Sequence, residues 1–286
     1  CERLRSDRRT QNTYIERAEC VEQDLGLRDS CAQILDLGER DTFPFEERAF
    51  LQQAKDALLA NDNDRVRQIL SSHSRSVWTG KGESQVQWDL LRAALDLIEA
   101  CGDNERALAG HTRDMDTLID FYVMQLREVD RLQREFEQSV SDYDWQDTQS
   151  IMQPVQQRAR QQYGKLIGTV QLLFTKHLQQ TGWPVMSRLS NTEVFDKIVA
   201  PKLEQSGNKV AYIMVDALRY ELGLALEQQL SEVGKAGLQP ALAQLPSTTL
   251  VGMAGLLPGA GTGLRLARTE NGVVPHIDEQ PVGNVS

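Results

Sequence analysis

No stretch of this chain stays apolar for the ~18 to 20 residues that a bilayer-crossing helix needs. The longest apolar-rich runs, residues 210–215 and 250–257, fall far short, so no membrane partner is expected. Cysteine is scarce: Cys1, Cys20, Cys31 and Cys101 contain no CxxC pair, and Cys20 and Cys101 fall on the apolar faces of helical patterns. That excludes a zinc ribbon or a disulfide framework and points to reduced, buried thiols in a cytoplasmic protein. An excess of positive charge is also lacking, with 31 basic against 41 acidic side chains and a net charge of -10. Residues 191–286 hold seven basic and ten acidic residues, which leaves 24 and 31 for residues 1–190. Neither part carries a basic footprint, which argues against autonomous tight nucleic-acid binding and leaves a local patch or delivery by partner proteins as the routes. The chain starts at Cys1 with a charged segment, which is no signal peptide, and stops at Pro281-Val282-Gly283-Asn284-Val285-Ser286 without a cap or charged tail. The expectation is a piece cut from a longer chain at both ends.

What is present is a globular composition, 40% hydrophobic and 25% charged, and a length of 286 residues that fits two domains. From residue 11 to about 180 the apolar residues recur at helical spacing. Tyr14, Ala18, Val21 and Leu25 make one stripe; Phe50, Leu51, Ala54, Leu58 and Leu59 make another, entered through Asp41-Thr42-Phe43-Pro44. From Val86 to Cys101 the apolar arc is wide, which predicts the central helix of a bundle. Met115, Leu118, Tyr122, Leu126, Val129, Leu132, Phe136 and Val140 step by about 3.6 residues, as in a straight packed helix. Residues 155–178 supply its antiparallel partner, across a polar connection at 141–147 with Tyr143 and Trp145 as packing anchors.

After Trp183-Pro184 the period changes. Residues 209–215 form a continuous apolar run, the pattern of a strand buried on both faces, and Leu218, Leu222, Leu226 and Leu230 then predict a helix ending near Gly234. Residues 241–245, 250–257 and 272–277 read as a second strand, a second helix and part of a third strand. The expected fold class is therefore α plus partial α/β: a helical bundle over 1–185, followed at 192–286 by the opening strands and helices of a parallel-sheet domain.

Two polar residues stand where chemistry is expected in such a sheet. Asp216 is the first polar residue after the apolar run, at the carboxyl edge where ligand groups sit, and it suits either a hard or borderline cation or a helix N-cap. Thr249, in Leu245-Pro246-Ser247-Thr248-Thr249, falls at the start of the second helix, either as a cap or facing an anion. A hydroxyl there can accept a phosphoryl group if a metal held by a nearby carboxylate lowers its pKa.

The segments Val215-Asp216-Ala217-Leu218-Arg219-Tyr220-Glu221 and Leu245-Pro246-Ser247-Thr248-Thr249-Leu250-Val251-Gly252-Met253-Ala254-Gly255-Leu256-Leu257-Pro258-Gly259 resemble the signature of the PglZ proteins. That family belongs to the alkaline phosphatase superfamily and serves in the BREX phage-exclusion systems; weaker likeness touches Asp41-Thr42-Phe43-Pro44-Phe45 and the last six residues. The resemblance implies an alkaline phosphatase-like domain in which Asp216 is a metal ligand and Thr249 is both the nucleophile and a metal ligand. It implies two zinc ions or other divalent metals, a metal-dependent phosphoesterase acting on monoesters, diesters, nucleotides or nucleic acid, and other phage-defence proteins as partners. The remaining Asp and His ligands of the superfamily come later than Ser286, so the present piece is expected to be inactive. The alternative is a non-catalytic assembly or scaffold subunit of a defence complex.

Other features read as structural. Arg219 is expected in a helical ion pair with a neighbour such as Glu221, and His276 with Asp278 as a strand-end pair and not a ligand pair. Asn61-Asp62-Asn63-Asp64 lacks the EF-hand glycine and closing glutamate and reads as a loop ending in an N-cap. Residues 259–263 read as a flexible glycine loop without P-loop context, and His73, His111 and His177 as scattered helical histidines.

Overall fold

The computed structural model describes residues 4, 7, 9–31, 38, 40–144, 150–207, 209–270 and 272–283. Cys1, Trp145 and the final Asn284-Val285-Ser286 lie outside the described residues. The chain is mostly helical with a small sheet near its C-terminal end, the α plus partial α/β class that the sequence predicts. It divides into two compact units, one of residues 1–107 with 128–168 and one of residues 108–127 with 169–286.

In the first unit the helix Pro44–Leu59 begins with Pro at its first position, and the Glu46 carboxylate accepts from the Thr42 and Phe43 N–H groups at 2.5 and 3.0 Å. These are donors that no helical carbonyl can reach. Asp62 caps the next helix, Asn63–His73, by accepting from the Arg65 N–H at 3.1 Å, so the Asn/Asp cluster does end in an N-cap. The helix Gly82–Leu108 buries Leu90, Leu91, Ala94, Leu95, Leu97 and Ile98, the wide arc of a central helix. Its Cys101 is buried too, and burial pushes the thiol up to about 12, which leaves it chemically quiet. Across the Arg127–Asp144 and Gln153–Thr181 helices, Gln156 donates to Asp144 at 2.8 Å, Arg160 to Glu137 at 2.6 Å and Tyr163 to Asp130 at 3.0 Å. The partner numbers fall as the first numbers rise, so the pair is antiparallel. Phe136, Val140 and Tyr143 are buried along it.

The first stripe is rotated from its expected face. Ile15, Ala18 and Glu22 point inward on the helix Gln11–Asp24, while Val21 and Leu25 are exposed and so is Cys20. The cause is polar: the Glu22 carboxylate accepts from the Phe45 N–H at 2.6 Å and pairs with Arg48. That N–H lies in the first turn of the neighbouring helix, where no helical carbonyl can reach it.

In the second unit Asp114 caps the helix Met115–Phe121, and its bond from the Thr117 backbone N–H holds its carboxyl down to about 2. Arg188 bridges Asp116 and Asp120 at 2.6 Å each, and His177 meets the Thr112 carbonyl at 3.1 Å. The predicted second helix forms as Thr249–Gly255 and the predicted third strand as Gly272–Ile277. That strand, β2, pairs antiparallel with β1, Leu264–Thr269, and β2 with β3, Gln280–Pro281. Gly263 ends a single helical turn, Ala260–Gly263, inside the stretch expected to be loop; a Cβ there would sit 2.7 Å from an Asp278 side-chain oxygen and would force it to move.

Among the described residues the expected parallel pairing is reduced to one bridge, Ser190 with Leu242, closed by two backbone bonds of 2.8 Å. Residues 209–215 form neither helix nor strand and join no ladder among the described residues, and Ile213, Met214 and Val215 are exposed. A doubly buried strand needs paired neighbours for its N–H and C=O groups and a layer over each face. Here the local pattern is present and the neighbours are not.

Candidate active site

Asp216 ends the apolar segment, and Ala217 after it adopts a left-handed φ of 54°. For a residue with a Cβ that conformation is uncommon and costs energy, and such residues gather at functional sites. The following helix starts only at Tyr220, with Arg219 in the N-cap position, so Asp216 is no helix cap. Its carboxylate is free to work away from the helix end.

The second segment arrives through Pro246. Thr248 is extended and occupies the N-cap position, and Thr249 is the first residue of its helix. The Thr249 hydroxyl donates to Asp216 Oδ2 at 3.1 Å, and both groups face solvent. Two residues 33 positions apart, selected from sequence as a pair, are thus in direct contact. In this bond the Thr249 hydroxyl donates and Asp216 accepts, so the hydroxyl oxygen keeps its own accepting capacity.

The surrounding residues are committed elsewhere. Arg219 pairs with the buried Glu221 at 3.1 Å, as expected from their spacing. His276 lies on β2 opposite Arg265 and Pro281, with its ring nitrogen 3.3 Å from the Val274 carbonyl, and Asp278 packs against Gly263 in the β2–β3 turn. Among the described residues no three His, Cys, Asp or Glu side chains converge as a metal site. Asp216 and Thr249 are oxygen donors of a suitable kind, but two are fewer than the three protein ligands of a typical catalytic zinc.

One ionisable residue escaped the sequence reading. Glu47 is only 4% exposed, and neither carboxylate oxygen has a hydrogen-bond partner of good geometry. Burial, ahead of the Asp41 charge, raises its pKa to about 7, against a smaller lowering by Trp88. The signal was legible: Glu47 sits on the same helical stripe as Phe50, Leu51, Ala54 and Leu58. Close by, burial also lowers the pKa of His73, whose ring packs on Phe50 with centroids 3.8 Å apart.

Residues 194–273 match the model of the PglZ family, described as the BREX system PglZ alkaline phosphatase-like domain. The matched stretch contains both Asp216 and Thr249. No curated protein and no solved structure matches the chain.

Proposed function

We propose that the PglZ-type segment carries the nucleophile of a metal-dependent phosphoesterase serving in phage defence, with Thr249 as the phosphoryl acceptor and Asp216 as a metal ligand. The observation that supports this reading is the 3.1 Å bond between the two side chains inside the matched stretch. Two zinc ions or other divalent cations would supply Lewis acidity to the phosphoryl oxygens. The two donors described here make only part of such a coordination shell, so no step is routed through the metal. What the residues do is orient and polarise: Asp216 fixes the Thr249 rotamer and takes up hydroxyl hydrogen-bonding capacity, leaving Thr249 Oγ1 open to solvent and to an incoming phosphorus.

The test is hydrolysis of a phosphodiester and a phosphomonoester by the native protein within its defence system. Asp216→Asn and Thr249→Ala should each lower turnover by at least about a hundredfold, a barrier change of several kcal/mol, with the melting temperature unchanged. Near-wild-type turnover by Thr249→Ala would remove it as the nucleophile. The 286-residue chain alone should be catalytically silent and bind zinc weakly, since it offers two converging ligands. A submicromolar zinc site in calorimetry, lost in Asp216→Ala, would contradict that.

The second reading is a scaffold subunit that docks other phage-defence proteins, with any nucleic acid reached through them. The exposed Ile213, Met214, Val215 and Leu218 favour it, because such apolar surface normally meets a partner. Wild-type phage restriction by Thr249→Ala, together with absent turnover, would decide for it.

A further inference from the structure

The second unit contains a hollow of about 360 Å³ whose lining is almost wholly apolar. This lies within the range of about 300–1,000 Å³ usual for small-molecule sites. Leu118, Tyr122, Phe174, Trp183 and Tyr220 line it together with residues 240–243. The aromatic side chains of the lining also touch one another: Phe174 meets Trp183 edge-on at 5.3 Å and 70°, and Tyr122 meets Tyr220 at 6.5 Å and 51°. The Trp183 indole N–H is already spent on the Ala243 carbonyl at 2.7 Å, which pins the ring and removes a polar group from the wall.

Two further observations point to a ligand. Tyr122–Leu126 is a π-helical turn, a rare conformation that recurs at functional sites. The Arg127 guanidinium lies 6.0 Å from the Tyr220 ring centroid, and no carboxylate pairs with it among the described residues. An arginine resting on an aromatic face keeps its charge and its planar donors available to an anion.

We propose that this hollow binds a flat aromatic ring bearing an anionic substituent, the ring among Tyr122, Phe174, Trp183 and Tyr220 and the anion facing Arg127. The apolar walls select for a ring with few polar atoms, because an unpaired polar group buried there would cost affinity. Arg127, resting on the ring of the lining residue Tyr220, selects the charge. The site is independent of the phosphoester reading, although Tyr220 follows Asp216 by four residues and Ala243 precedes Thr249 by six.

The chain labelled with 5-fluorotryptophan gives one ¹⁹F signal for each of its four tryptophans, and Trp183→Phe assigns the relevant one. Titration with 2-naphthalenesulfonate should shift the Trp183 signal saturably and leave those of Trp78 and Trp88 in place. Arg127→Gln should weaken that probe about fivefold, the scale of an exposed charge pair, and leave neutral 2-naphthalenemethanol unaffected. Tyr220→Leu should weaken both probes, and Asp216→Asn neither. Absence of a saturable Trp183 shift, equal shifts at the other tryptophans, or equal weakening of both probes by Arg127→Gln would overturn the proposal. Because binding is read without turnover, failure of the phosphoester reading would leave this result standing, and the converse also holds.

Discussion

The antiparallel helices of the first unit and the apolar run at 209–215 are built from similar apolar residues and end differently. Phe136 and Tyr143 are fully buried, whereas Ile213 is 79% exposed and Val215 49%. In the helices the backbone N–H groups beyond the first turn are met within the element, so a stripe of side chains needs little more than one neighbouring face and a cap. A strand needs partners for its backbone as well as for its side chains. Apolar patterning therefore determines a helix nearly alone and a strand only together with its neighbours.

Breaking the chain at Trp183 is the largest perturbation of this contrast. We propose that residues 1–185 fold as a helical domain and 192–286 as a separate alkaline phosphatase-like part. A chain ending at Trp183 should then keep a cooperative helical circular dichroism melt. A largely unfolded spectrum would show that the helices need the rest of the chain. Within the first unit, Phe136→Ala should cost about 3–5 kcal/mol in denaturant unfolding through the cavity it leaves.

Glu47 gives the same contrast a pH dependence. Its carboxyl is held at about 7 when folded, above the 4.5 of an ordinary glutamate. The folded state thus favours the protonated form, and its stability is fully present below about 4.5 and lost as pH rises through about 7. Glu47→Gln should remove that slope and stabilise the protein above pH 7 by up to about 3 kcal/mol, read from urea midpoints at several pH values. A wild-type slope of the same size in the variant would assign the titration to another group. Asp62→Ala should cost about 1 kcal/mol by uncapping its helix. At the other end of the scale, Ile213→Ser should change the melting free energy by less than about 0.5 kcal/mol. A larger loss would mean that 209–215 is covered in solution.

These effects also explain which parts of the fold were legible in the sequence. The central helix, the helical pair, the helix after Thr248 and the strand at 272–277 follow from period and punctuation. The rotation of the first helix was hidden because Glu22 answers a backbone donor 23 residues away, which no local pattern records. The antiparallel partner of β2 was missed because residues 264–269 alternate weakly and follow a glycine-rich stretch that reads as loop. At the site, Asp216 and Thr249 were legible as residue types at the ends of apolar segments and through their resemblance to a known signature. Their contact was not, since it depends on how two loops meet. The left-handed Ala217 left no trace in the sequence at all.

The proposal that Asp216 and Thr249 act as one catalytic unit is decided by a double-mutant cycle on phosphodiester turnover by the native protein. Asp216→Asn, Thr249→Ala and the double variant should all fall to the same residual rate, because groups that act together are lost together. Losses that multiply in the double variant would show two groups working independently and would contradict the account.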